Sequence, residues 1–251
     1  MTGIPAVSAS QMAYIDRLMA DRFGVLPIQL MEHAGHAVAS FVRMSFPGGD
    51  ARDQPVVLLA GSGGNGGDAL VAARLLAAWG AKPVVVPARP ANQVTGLVAE
   101  HLRAIEAFGI PVLDGAGLSA LPPAAVIVDG LLGSGATGEP TGTTASLIEL
   151  ANQHDAEIIA IDVPSGLDAT TGAVPTPCIV ASCTLTLGLP KTGLLAKTAA
   201  HVTGTLMLAD IGIPAAAYRH IGVDVPADLF SATWLVPVLP ADDDGAPTHD
   251  V

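Results

Sequence analysis

Residues 57–74 read VLLAGSGGNGGDALVAAR, and no other stretch limits the possible folds so narrowly. Val57, Leu58 and Leu59 suit a strand buried on both faces, while Ala69 to Arg74 are mostly good helix formers. Between them stand Gly61, Gly63, Gly64, Gly66 and Gly67. A strand that passes at once into a helix leaves no hairpin partner, so its neighbour arrives after a crossover and lies parallel. The glycines let the main chain approach a ligand closely. The helix that follows begins with unpaired N–H groups suited to an anion.

The chain repeats this alternation. Strands are expected at 56–60, 83–87, 125–129, 157–162, 183–188 and 204–210, with a short extended piece at 111–114. Helices are expected from Gly67 to Trp79, Asn92 to Phe108 and Thr144 to Gln153. Ahead of them, Ser8 to Arg43 reads as a helical segment interrupted around Gly24 and Pro27, with Met12, Ile15, Leu18 and Met19 on one apolar face. The fold class is therefore α/β, with a mainly parallel sheet and right-handed crossovers. One domain is expected over residues 1–236, and the Pro- and Asp-rich residues 237–251 are expected to form a disordered acidic tail.

Charge narrows the partners. Asp and Glu number 23 against 11 Lys and Arg, a formal net charge of −12, which argues against nucleic acid and anionic membrane surfaces. A phosphate-bearing ligand must then be held by main-chain N–H groups and a few local cations. No apolar run reaches the roughly 18 residues of a membrane span, and no secretory signal is evident. Cys178 and Cys183 lack companions at zinc spacing and are expected to be free thiols in a reducing, cytoplasmic setting.

Parallel sheets bind ligands beyond the carboxyl ends of their strands, so the turns after Ala60, Val128 and Ile161 carry the functional reading. Gly61, Gly63 and Gly66 satisfy G-x-G-x-x-G, the register of a dinucleotide-binding oxidoreductase. Such an enzyme needs an acid at the end of its second strand, where this chain has Pro87-Ala88-Arg89. Asn65 and Asp68 place polar side chains among the glycines, as ligand contacts or as a turn former and a helix-start acid. Asp129 ends the strand VIVD and is followed by the glycine-rich run GLLGSGATGEP. Asp162 ends the strand EIIAI ahead of Pro164-Ser165-Gly166, where partial desolvation would raise a carboxyl pKa and suit acid/base work. Lys191 follows another strand in a Pro/Gly turn, as a phosphate or substrate contact or as a solvated loop lysine. Asn65, Asp129 and Ser165 form an oxygen-only donor set suited to a hard cation, although periodicity does not say whether they converge.

In order along the chain, LMEHAGHAVA, GSGGNGGDALVAAR, VDGLLGSGATG, AIDVPSGLDATTG and LTLGLPKTGL resemble the YjeF N-terminal domain family, the NAD(P)H-hydrate epimerases. The resemblance runs from about Val7 to Ile213. It implies a Rossmann-like three-layer α/β/α sandwich with an N-terminal helical segment, active as a homodimer. The implied substrates are NADHX and NADPHX, hydrated cofactors with a hydroxyl at C6 of the nicotinamide ring. Their R and S forms would be interconverted for a separate dehydratase that uses the S form, and the chain after Ile213 is expected to hold no such domain. By position, Gly64, Asn65, Gly66, Gly67, Asp68, Gly133, Ser134, Gly135, Ala136, Thr137, Gly138, Glu139 and Asp162 would line the substrate. Asn65, Asp129 and Ser165 would hold a potassium ion. Asp162 would be the acid/base, assisting departure of the C6 hydroxyl, and Lys191 would stabilise the departing oxygen or hold a phosphate. The chain departs from the family pattern at Gly64 and His33, where asparagines are usual. Competing readings are a repurposed isomerase or cyclase, and a non-catalytic ligand-binding or dimerisation module on the same fold.

Overall fold

A computed structural model describes residues 4–239. Its elements are α1 (Ala9–Phe23), α2 (Pro27–Met44), β1 (Pro55–Ala60), α3 (Gly64–Ala78), β2 (Lys82–Pro87), α4 (Gly96–Ala107), β3 (Val126–Gly130), α5 (Gly142–Asn152), β4 (Glu157–Ile161), β5 (Cys183–Leu187), α6 (Ala200–Thr203), β6 (Thr205–Ala209), α7 (Ala215–Tyr218) and β7 (Leu235–Pro237), with short 3₁₀ turns between. The strands form one sheet in the order β2-β1-β3-β4-β5-β6-β7, parallel except for the antiparallel pair β6–β7.

Alternate residues of each strand feed different cores, which makes three layers. Val56, Leu58 and Ala60 face α1, α2, α3, α4 and α7, while Val57 and Leu59 face α5. From β1 the chain crosses first to β2 on one side, then returns to β3 on the other. The β1/β3 boundary is thus the topological switch point where open α/β sheets bind ligands.

The N-terminal segment divides as its sequence suggests. Ser8 caps α1 in a reciprocal box with Gln11, Gly24 ends it in a left-handed conformation, and Pro27 occupies the first turn of α2. Val7 then pairs with Lys191: its N–H donates to Pro190 O at 2.9 Å, and its carbonyl accepts from Thr192 N at 2.9 Å. That pairing lays α1 across the carboxyl ends of the strands.

The structure refines several expectations, among them the start of α4, which lies at Gly96 after a 3₁₀ turn at Ala91–Gln93 and not at Asn92. Helix α3 starts at Gly64 and not Gly67, so the glycines form its first turn. Residues 111–114 make only a bridge at the sheet edge, Val112 beside Val85, because two hydrogen bonds tie them to β2 before the chain turns away. The strand β7 was not expected. Pro237 belongs to it, and Val238 is buried with its N–H donating to Leu206 O, so ordered chain passes residue 236. The rest of the expected tail, residues 240–251, lies outside the described residues. Among the described residues no helix is long and apolar enough to cross a membrane, and Cys178 and Cys183 are free thiols.

Candidate active site

At the switch point the strand ends open on a cavity of about 550 Å³, walled by α1, α2, the first turn of α3 and residues 131–136, with Asp162 and Lys191 also on its wall. Gly63 caps α3 with no side-chain acceptor, which leaves the first-turn N–H groups for a ligand. Gly64 and Asn65 line the cavity, and the space where a side chain at Gly64 would project is open. Gly66 and Gly67 do not line it. A Cβ on Gly66 would lie 1.9 Å from Gly61 O, and one on Gly67 would lie 2.4 Å from Met31 Sδ, so these two glycines serve close packing.

Asn65, Asp129 and Ser165 converge on the main chain of Leu131 and Leu132. The Asn65 amide donates to Leu132 O at 2.9 Å and Ile161 O at 2.7 Å, tying the glycine loop to the ends of β3 and β4. Asn65 Oδ1 turns toward Gly133, where a Cβ would stand 2.8 Å from it. Leu132 N–H donates to Ser165 Oγ at 2.8 Å, and the Ser165 hydroxyl donates to Asp129 at 2.6 Å. Asp129 is wholly buried and also accepts the N–H groups of Ser165 at 2.8 Å and Leu131 at 3.2 Å. Burial raises its pKa to about 6 against the pull of these donors, all of them neutral. Asp129, with no cationic partner among the described residues, and the side-chain oxygens of Asn65 and Ser165 make a donor set of oxygens alone, of the kind a hard cation takes. Among the described residues, no group of three or more His, Cys, Asp or Glu is placed to hold a metal ion.

Asp162 sits just beyond β4 with φ +64°, a left-handed conformation uncommon for aspartate. Its N–H still bonds Leu185 O at 2.9 Å, so the twist turns the carboxylate toward the cavity rather than ending the sheet. Oδ1 accepts the Lys191 ammonium, Leu187 N–H at 3.3 Å and the Thr186 hydroxyl at 3.4 Å. Lys191, 1 % exposed, also donates to Leu187 O at 2.8 Å. Asp162 is therefore buried, as expected of a carboxylate at the end of an apolar strand, with a cation beside it that the sequence had not paired with it.

Two further carboxyls share the cavity. Burial, with Asp162 and Asp16 adding to it and Lys191 opposing, holds Asp68 well above the usual carboxylate range. Asp16 of α1 stands solvent-accessible at the mouth and is raised to about 6, first by the surrounding protein, with Lys191 opposing and Asp162 adding. Sequence reasoning missed Asp16. Its signal was spacing: four residues after Met12, it borders the apolar stripe of α1.

Of residues 133–139, Gly133, Ser134, Gly135 and Ala136 line the main cavity. Thr137, Gly138 and Glu139 line an adjoining groove of about 380 Å³ that shares Leu132 and Ala136 with it. His33 is exposed beside Gly212 and does not line the cavity.

Residues 27–193 match the family model described as YjeF-related protein N-terminus. The chain belongs to this family. The matched YjeF-related region holds the glycine loop, the ends of β3 and β4, and Lys191, but stops short of Asp16. One relative, the NAD(P)H-hydrate epimerase of Dehalogenimonas lykanthroporepellens, is 36% identical over 93% of this chain and 92% of its own length. Another, the bifunctional NAD(P)H-hydrate repair enzyme Nnr of Moorella thermoacetica, is also 36% identical, and there the chain spans 45% of the relative's length. The crystal structure of yeast ynu0, YNL200c, matches with a TM-score of 0.77 at 27% identity, covering 93% of this chain and all of that one.

Proposed function

We propose that the protein interconverts the R and S forms of hydrated NADH and NADPH at C6 of the nicotinamide ring. One observation carries this: a buried carboxylate–lysine pair, Asp162 and Lys191, on the wall of a cavity that also presents the open first turn of α3. The pair suits charge developing on a ring, and the helix N-terminus suits a phosphate. The relatives named NAD(P)H-hydrate epimerase support the choice of substrate.

Gly64, Asn65 and the first turn of α3 receive a substrate phosphate, and the groove at Thr137, Gly138 and Glu139 takes more of the dinucleotide. The ring lies against Asp162; engaged by Lys191, its carboxylate stabilises the iminium-like ring left when the C6 hydroxyl departs, in place of the acid/base role expected of it from the sequence. Water then returns to either face. Lys191 has two of its donors engaged by Asp162 and Leu187 O, which leaves a third for the departing oxygen or a phosphate. Asn65, Asp129 and Ser165 would hold a potassium ion, which would supply a positive charge to the site. The protein works as a cytoplasmic homodimer, paired in function with a dehydratase that consumes the S form.

The test supplies R-form hydrate, the purified protein and an S-specific dehydratase, and follows the return of NADH absorbance. Recovery faster than the spontaneous rate, lost in Asp162→Asn, is expected. No acceleration while nucleotide still binds would favour a non-catalytic module.

A further inference from the structure

The cavity holds more carboxyl groups than its lysine balances. Asp16, Asp68 and Asp162 all line it, and Lys191 is the one Lys or Arg among the lining residues. Lys191 is engaged with Asp162, whose Oδ1 also accepts from Leu187 N–H and the Thr186 hydroxyl. Asp68 is 7 % exposed, and among the described residues its carboxyl has no hydrogen-bond partner. Asp16 alone of the three is open to solvent.

Loss of a hydroxyl from C6 requires a proton, because hydroxide is a poor leaving group beside several carboxylates. The water that returns must then give up a proton to a base. We propose that Asp16 is a catalytic residue that protonates the departing C6 oxygen and deprotonates the returning water, an inference that rests on the epimerase reading above. The Asp16 carboxyl gives its proton to the oxygen, and the C–O bond breaks with its electron pair leaving in water. The ring nitrogen lone pair forms the C=N bond. Water then adds to C6 from the opposite face, the C=N pair returns to nitrogen, and the Asp16 carboxylate takes the released proton. Nothing is oxidised or reduced.

Position favours Asp16 over Asp68. Water must leave and enter through the mouth, where Asp16 stands and where it can exchange protons with solvent. The charged or titratable groups acting with it are Lys191 and Asp162 at the strand ends, Asp68 on α3, Tyr218 on α7 and Arg17 on its own helix. The protein packed around Asp16, with Asp162 adding and Lys191 and Arg17 opposing, puts the group near about 6, within reach of both forms at neutral pH.

Asp16→Asn is expected to lower kcat by roughly 10²–10⁴-fold with KM changed less than about threefold, and Asp16→Glu to recover part of the loss. The wild-type kcat is expected to fall as pH rises through the acid's pKa, and Asp16→Asn to lack that limb. Asp21→Asn, an exposed change on the same helix, controls for net charge. An Asp16→Asn enzyme with kcat close to wild type and the same limb overturns the proposal and leaves the epimerase reading standing. An inactive wild type overturns both. Independently of activity, the carboxyl ¹³C signal missing from Asp16→Asn is expected to titrate at about 6. Titration at about 3.9, the ordinary aspartate value, overturns the proposal.

Discussion

Replacing Lys191 with methionine tests whether the Asp162–Lys191 pair is a desolvated unit. Lys191 is 1 % exposed and Asp162 6 %, so methionine keeps most of the volume and removes the charge. Taking one partner from a buried ion pair costs roughly 3–5 kcal/mol, because the other charge is left uncompensated. Leu187 O also loses its 2.8 Å bond from Nζ, worth about 1 kcal/mol. The expected destabilisation is therefore about 4–6 kcal/mol, a fall in Tm of roughly 8–24 °C for a domain of this size. Asp162→Asn should cost about 3–5 kcal/mol by the same reasoning, since it strands the ammonium. The double variant removes both charges and is expected to lose only about 1–2 kcal/mol, far less than the sum. Equilibrium urea unfolding of all four proteins reads this coupling. Single variants that each lose under about 1 kcal/mol, or a double variant equal to the sum, would refute the reasoning.

Potassium is expected to raise Tm over a bulky organic cation, by about 2–3 kcal/mol of stability near a hundredfold excess over Kd. Asn65→Ala and Gly133→Ala should each abolish that difference, the second because its Cβ would lie 2.8 Å from Asn65 Oδ1; equal Tm values in both salts for the wild type would count against the ion site. Gly66→Ala drives a methyl to within 1.9 Å of the main-chain oxygen of Gly61 and is expected to cost about 1–3 kcal/mol, seen as a lowered urea midpoint. Asp16 has its folded pKa raised from 3.8 to about 6, so its contribution is complete below pH 3.8 and is lost as pH rises through 6. The stability of wild type minus Asp16→Asn should therefore decline with pH over that window, by about 1 kcal/mol once solvent screening is allowed for. A flat difference would contradict the raised pKa.

Much of this architecture is legible in local sequence because each strand end announces itself. Val57 to Ala60 is apolar on both faces and stops at glycine, and Asp129 and Asp162 end apolar runs in the same way. What local pattern cannot supply is which distant segments share a wall. Asp16 reads as an ordinary polar position on an amphipathic helix until Val7 pairs with Lys191 and carries α1 over the strand ends. The Asp162–Lys191 pair is hidden for a similar reason. It depends on a left-handed twist at Asp162 and on a turn after β5 that folds Lys191 back beneath Leu187 O. Gly66 and Gly67 mislead in the opposite direction: glycine in a ligand loop suggests approach to substrate, yet these two admit Gly61 and Met31. The strand β7 escaped notice because three residues give too little alternation to read.

As an epimerase, the protein inverts C6 of a hydrated nicotinamide in this cavity, with Asp162 in place, without help from any other enzyme. The most direct measurement incubates isomerically pure R-form hydrate with the protein alone and follows the two epimers by chromatography. The S form is expected to appear and the mixture to reach its R/S equilibrium far faster than in buffer, while the Asp162→Asn protein matches buffer. An R-form sample that decays at the spontaneous rate with saturating wild-type protein would contradict it.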